Sequence, residues 1–147
     1  MKLHRELSCN GERTSLHTTQ KIEELKMAYW LLISGGALSF LGMLFHGVIG
    51  GKIYSGNISK SDLEPLGKTL SHFSWQFHTI HLFVCGVTLV FIAYHSEYAI
   101  AAYPIIGINA LGALLFFGLG FLDRELMKMP GAILMGGIAA FAWLGIQ

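Results

Sequence analysis

The sequence predicts an all-α fold, a four-helix transmembrane bundle with up-down-up-down topology. A short polar amphipathic segment precedes the bundle. Of the 147 residues, 53% are apolar and only 13% are charged, a balance that is typical of membrane proteins. Four apolar stretches of roughly 20 residues follow one another, and each is long enough to cross about 30 Å of hydrocarbon as a helix. We therefore expect an integral, multi-pass membrane protein.

Two parts of the chain are expected: a polar amino-terminal arm over residues 1–26 and a four-helix domain over residues 27–147. The helices are predicted at about residues 27–51, 71–94, 98–122 and 130–146, with a polar loop over residues 52–70. The connector between the second and third helices is so short that they must form an antiparallel hairpin. Pro130 suits the first turn of the fourth helix.

Several classes of protein lack the residues that they need. No Asp or Glu lies inside the four apolar stretches, which argues against proton-coupled export. Cys9 lies in the arm and Cys85 inside the second helix, and the absence of a CxxC pair argues against a thiol oxidoreductase. A net charge of +1 without a basic stripe gives no reason to invoke nucleic acid. Catalytic residues remain unidentified.

Three histidines are the chemistry that stands out in this chain. His78 and His81 lie three residues apart in the second apolar stretch, and His46 lies in the first. Antiparallel packing brings His46 and His78 to a similar depth near one membrane face, with His81 one turn deeper. Ionisable side chains inside a bilayer normally face the protein interior and serve a function. These three residues are the candidate site.

Helical phase supports the same pairing of helices. Steps of three and four along the second helix put most of its polar side chains on one stripe, while the aromatic and branched residues lie off it. In the first helix, small residues share the face of His46, and such residues let helices approach closely. The stripe contains Ser71, Ser74, His78, His81, Cys85, Thr88, Ile92 and His95. The small residues on the face of His46 are Gly35, Ser39, Gly42 and Gly50, and Gly47 and Gly51 add a GxxxG motif.

Two kinds of cofactor suit these imidazoles. A haem b needs one imidazole from each of two facing helices and small residues where the porphyrin lies, which His46 with His78 or His81 would supply. A copper or iron ion would use the same imidazoles. For a metal ion, His72, Asp123 and Glu125 belong to the same end and are further candidate ligands. The alternative is a structural or assembly subunit without a cofactor, whose histidines only join helices.

Other polar and aromatic residues are interpreted as structural. Trp30, Trp75, Tyr54, Tyr98 and Tyr103 are predicted to anchor helix ends at the membrane surface. Asn109 is predicted to make an interhelical hydrogen bond. The expected partners are the lipid bilayer and other membrane subunits or a second copy of the chain, and the small residues Ala132, Gly136 and Ala140 on the fourth helix would suit such docking.

One order of motifs resembles a known group of proteins. The His46-Gly47 step, a polar loop, the Phe77-His78 step and then Gly86 are similar to small uncharacterised four-helix membrane proteins of bacteria, over residues 40–145. That resemblance implies the bacterial inner membrane but no activity. The segment from His81 to Gly86 also resembles histidine helices of haem and copper membrane proteins, although there the preceding histidine is usually two residues back, and His78 is three back.

Overall fold

The chain folds into helices joined by short turns. The computed structural model describes the backbone of residues 2–124 and 130–147, and the side chains of residues 18–124 and 130–147. The helices are α1 (Lys2–Leu44), a π-helical segment (Phe45–Gly50), α2 (Gly51–Lys60), α3 (Pro65–Tyr94), a 3₁₀ segment (Ser96–Ala101), α4 (Ala102–Leu122) and α5 (Gly131–Gly145). The described residues contain no strand, so the all-α prediction is confirmed.

The predicted polar loop over residues 52–70 is wrong, because most of it is helical. α1, the π-helical segment and α2 follow one another without a break as far as Lys60, and only residues 61–64 separate α2 from α3. Ser61 ends α2 by donating its backbone N–H and its hydroxyl to the carbonyl of Ile58. Pro65 occupies the first turn of α3, where its missing N–H costs nothing. A loop was predicted here because the residues are polar, and polar residues indicate exposure to solvent. A helix that continues beyond the apolar region is exposed to solvent as well.

The predicted start of the first helix at residue 27 is also wrong, because α1 already begins at Lys2, within the predicted polar arm. The boundaries of the last two helices hold to within a few residues. The first turn after α3 is 3₁₀, so α4 begins at Ala102 and not at residue 98. Among the described residues, three helical stretches are long and apolar enough to cross a membrane: Thr18–Lys60, Pro65–Tyr94 and Ser96–Leu122. α5 has 15 residues, which at 1.5 Å per residue is about 22 Å. We therefore count three long apolar helices and one short one.

Glycine brings α1 and α3 together as an antiparallel pair. Near one end the hydroxyls of Tyr29 and Tyr94 lie 3.0 Å apart. Further along, a Cβ on Gly36 would lie 3.2 Å from the backbone oxygen of Gly86 and 2.8 Å from Cγ2 of Val90. The predicted packing of these two helices is confirmed, since contacts follow α1 from its tyrosine end to the π-helical segment.

The small residues do not all serve the α1–α3 contact. Gly42, predicted to face the second helix, packs against Leu134 of α5. α5 in turn lies against both α1 and α4, with Gly145 on Leu32 and Gly131 on Phe116. Of the predicted docking line, Gly136 contacts Ala113 and only Ala140 is exposed. The small residues of α5 are thus used mainly inside the protein.

The polar stripe of α3 is only partly buried, and the core lies deeper than the histidines. Cys85 and Ile92 of the stripe are buried, but Ser74 and His95 are exposed. Leu82, which the stripe excluded, is fully buried. The core contains Leu32, Leu82, Cys85, Leu89, Ile92, Ala102, Ile105, Ile138 and Ala142.

Large apolar side chains cover much of the outer surface. Phe121 and Leu122 are 84% and 86% exposed, and Ile133 is 78% exposed. Of the seven residues predicted to lie off the polar stripe, all but Leu82 and Val90 are also exposed: Phe73, Phe83, Val84, Val87 and Phe91. Water-soluble monomers rarely show apolar surface on this scale.

Candidate functional site

The π-helical segment places His46 at the α1–α3 contact. The carbonyl oxygen of His46 accepts the backbone N–H of Gly51, five residues on. The same oxygen accepts the indole N–H of Trp75 at 3.2 Å. Widened turns of this kind are rare and occur often at functional sites. Here the turn fixes the backbone of the first candidate ligand against α3.

Three flat rings are stacked beside this turn. The imidazole of His46 lies on the indole of Trp75 with ring centres 3.9 Å apart and planes 12° from parallel. On its other face, Trp75 stacks on Tyr54 of α2, at 4.2 Å and 15°. The stack holds the His46 ring in one plane and leaves its edge, where the nitrogens lie, free of the indole.

The three histidines form a row, which we call the histidine cluster (His46, His78 and His81). The ring centres of His46 and His78 are 4.8 Å apart with planes 67° apart. Those of His78 and His81 are 5.8 Å apart. All three side chains are partly buried. The predicted proximity of His46 to His78 is therefore seen, and His81 continues the row along α3.

His46 and His78 lie level with each other, in helices that are longer than predicted. His46 was predicted about five residues before the end of its helix, but the helical path continues to Lys60. His78 is likewise further from Pro65 than from the predicted start at residue 71. Because α1–α2 and α3 are both extended at this end, the two imidazoles remain level with each other.

Thr79 is the hydrogen-bond partner of the His46 ring. The Nδ1 atom of His46 lies 3.0 Å from Oγ1 of Thr79. The threonine hydroxyl donates its single proton to the carbonyl of Trp75, at 3.3 Å. In that arrangement the threonine oxygen accepts from His46, which puts the ring proton on Nδ1 and leaves a lone pair on Nε2.

Cys85 and Asn109 lie at the deep end of the cluster. The sulfur of Cys85 is 3.5 Å from Nε2 of His81 and 3.8 Å from its Nδ1. The amide nitrogen of Asn109 donates to this sulfur at 3.5 Å and to the carbonyl of Ile105 at 2.9 Å. The predicted interhelical hydrogen bond of Asn109 is confirmed, with Cys85 as its acceptor.

Sequence reasoning missed Trp75, Tyr54 and Thr79. The two aromatic residues were interpreted as interfacial anchors because aromatic residues near helix ends usually serve that role. The available signal was the small residues opposite: a Cβ on Gly50 would lie 2.8 Å from the Trp75 ring, and one on Gly47 would lie 2.9 Å from Thr79. Glycines next to a histidine leave room for a large ring on the facing helix.

Two of the further candidate ligands, His72 and Asp123, lie away from the histidine cluster. His72 is partly buried on α3, six residues before His78, which is about 9 Å along the helix. Asp123 is exposed just after α4, fourteen residues beyond Asn109 or roughly 20 Å along the axis. Glu125 lies outside the described residues. Within residues 18–124 and 130–147, no three His, Cys, Asp or Glu side chains form a ready metal-binding group.

Neither the family models nor the curated proteins nor the solved structures contain a significant match to the chain. The resemblance to small bacterial membrane proteins therefore stays a prediction.

Proposed function

We propose that the chain is an integral membrane protein whose helices α1, α3, α4 and α5 cross the bilayer as an up-down-up-down bundle. Three long apolar helices and an apolar outer surface support this arrangement. So do the antiparallel contacts of α1 with α3 and of α5 with α1 and α4. The bilayer would have to thin locally around α5, or α5 would have to sit among its neighbours, because it is short for a span. The resemblance points to a bacterial inner membrane.

We further propose that the histidine cluster binds a transition-metal ion, copper or iron, for electron transfer or another redox reaction. The observation that carries this is the hydrogen bond between Nδ1 of His46 and Thr79, whose hydroxyl also reaches the carbonyl of Trp75. Histidines that ligate metals usually donate their second ring N–H in this way, which fixes the ring and its tautomer. The bare Nε2 of His46 is then the ligand atom.

The spacing of the rings favours an ion over a haem. With metal–nitrogen bonds of about 2 Å, the centres of two imidazoles lie about 5 Å apart on a tetrahedral ion and about 6 Å apart on opposite sides of a haem iron. The observed separation of His46 and His78 is 4.8 Å. Between His46 and His78, a haem b would require α1 and α3 to move apart.

The imidazole ligands also limit which metals would bind. Neutral nitrogen donors suit copper, iron, nickel and zinc, whereas magnesium and calcium need oxygen. Of these, copper and iron change oxidation state readily. An ion held by the histidine cluster would lie near one membrane face, where a partner subunit can approach it. We expect such a partner or a second copy of the chain to exchange the electron.

Optical absorption and electron paramagnetic resonance spectra of the purified protein test this function. The full chain in mild detergent is measured oxidised and then reduced with dithionite. A copper or iron signal that disappears and returns reversibly is expected. A Soret band with sharp α and β bands would establish haem and overturn the ion. A protein holding only zinc, or no metal, would contradict the redox function.

Thr79→Val should weaken metal binding while leaving the fold intact. Valine has the shape of threonine but cannot form the hydrogen bond with Nδ1 of His46, so the imidazole loses its orientation. Changes to such outer partners lower metal affinity roughly 10- to 100-fold. Competition with a metal indicator measures the loss. Thr88→Val, on the same helix but away from the cluster, is the matched control, and equal affinities of the two variants would contradict the role of Thr79.

A structural subunit is the second candidate function. The bonds that join α1 to α3 at His46, through Thr79 and Trp75, need no cofactor to be satisfied. Under this alternative the protein is colourless and free of metal, and it copurifies with other membrane subunits at a fixed ratio.

A further inference from the structure

The stack of His46, Trp75 and Tyr54 joins the histidine cluster to the polar end of the helices. Trp75 lies between the other two rings, with its ring centre 3.9 Å from that of His46 and 4.2 Å from that of Tyr54. Tyr54 follows His46 by eight residues, which is about 12 Å along a helix. It belongs to α2, where Lys52 and Lys60 are exposed. The stack therefore begins at a proposed metal ligand and ends on the polar helix.

Packing alone does not explain how close these rings are. Aromatic pairs in proteins prefer offset or edge-to-face arrangements, with ring centres about 4.5 to 7 Å apart. Both pairs in the stack are closer than this, and their planes are 12° and 15° from parallel. Gly50 leaves room for the arrangement, because a Cβ there would lie 2.8 Å from the indole of Trp75. Flat rings in face-to-face contact have overlapping π orbitals, through which an electron passes more readily than through a gap.

The surroundings of the histidine cluster favour an approach from the α2 end. Phe45, Val48 and Ile49 neighbour His46 along the chain and are exposed. In the proposed membrane arrangement they face acyl chains, which a water-soluble electron carrier cannot enter. At the deep end of the cluster, His81 contacts Cys85 of the apolar core. The polar end with Tyr54 is the side that such a carrier can reach.

We propose that Trp75 and Tyr54 conduct electrons between the ion at the histidine cluster and a one-electron carrier that approaches α2. One electron leaves the carrier, passes through the two rings and reduces the ion, from Cu(II) to Cu(I) or from Fe(III) to Fe(II). The rings mediate the transfer without being oxidised, no covalent bond forms or breaks, and no proton moves. This inference rests on the proposed function and deepens it, because it names the route of the electron and the side of the partner.

Electron injection from a label on α2 tests this route in the full chain, loaded with copper or iron in detergent. Asn57 is exposed and lies three residues after Tyr54. Asn57→Cys in a Cys9→Ser background provides one accessible thiol, since Cys85 is buried. A ruthenium polypyridyl group attached there reduces the ion after a flash of light, and the decay of the oxidised-metal absorption gives the rate. We expect Tyr54→Leu to slow this rate several-fold and Tyr54→Phe, which keeps the ring, to restore it.

A second label position controls for damage to the metal site itself. Gln76 is exposed on α3, next to Trp75. An electron injected from a label on Gln76→Cys reaches the cluster along α3 without crossing Tyr54, so Tyr54→Leu should leave that rate unchanged. Equal slowing from both labels would mean that the substitution disturbs the ion, and it would overturn the route.

The remaining outcomes separate this inference from the function on which it rests. The route through Tyr54 is overturned if the ion is bound and reduced, but the rate from the α2 label is the same with leucine at this position as with tyrosine. The histidine site then still stands. A full chain that holds no reducible ion would overturn the proposed function, and this inference with it.

Discussion

Replacing either His46 or His78 with alanine is expected to abolish metal retention. Each variant loses one donor of the proposed pair, and even changes to outer partners of metal ligands lower affinity about 10- to 100-fold. We therefore expect a loss of more than roughly 100-fold for a direct ligand. Equilibrium titration against a chelator of known affinity, in detergent, measures it.

The control for these variants is a histidine at the far end of the molecule. His95 follows α3, is exposed, and pairs with Glu97 at 3.5 Å. His95→Ala should bind metal as tightly as the unmutated chain does. Insertion into membranes should be unchanged in all three variants, since none of these side chains belongs to the apolar core. If both cluster variants keep full metal occupancy, the histidines do not hold the ion.

Gly36→Leu is expected to produce the largest loss of stability. A Cβ at this position meets Val90 and the backbone oxygen of Gly86, and the backbone cannot move aside as a flexible side chain can. The two helices must separate. Overpacking of this kind costs about 1–3 kcal/mol, and the free energy of unfolding in mixed micelles measures the cost.

Gly107→Leu is the matched substitution, because a Cβ on Gly107 of α4 meets nothing within 4 Å. Both variants replace a helical glycine with a good helix former, which by itself stabilises a helix by up to about 1 kcal/mol. The difference between the two variants therefore reports the α1–α3 contact. Equal stabilities would contradict the role of Gly36 in that contact.

The helices were predictable where the sequence is apolar, and less so where it is polar. The hydropathy of residues 27–51 and 71–94 located the two helices that carry the histidines. The continuation through Lys52 to Lys60 escaped prediction because a solvated helix and a loop have similar compositions. For the same reason the start of α3 at Pro65 was missed, although proline in a first turn is a recognisable signal.

The position of the candidate site along the helices was predictable, but the contacts of its side chains were not. Matched positions along antiparallel helices are enough to bring His46 and His78 together, and the structure has them 4.8 Å apart. The stacking of Trp75 on His46 depends on the local widening of the helix over Phe45–Gly50. Helical periodicity assumes regular turns, so it cannot anticipate that widening or the orientation that Thr79 gives to the imidazole.

The most direct test of the proposed site is the amount of metal in the protein as it leaves its own membrane. The full chain and a His46→Ala, His78→Ala double variant are purified side by side in mild detergent without added metal, and copper, iron and zinc are measured by mass spectrometry. We predict copper or iron in near-stoichiometric amount in the unmutated chain and its loss from the double variant. Equal metal content in the two proteins, or none in either, would contradict the account.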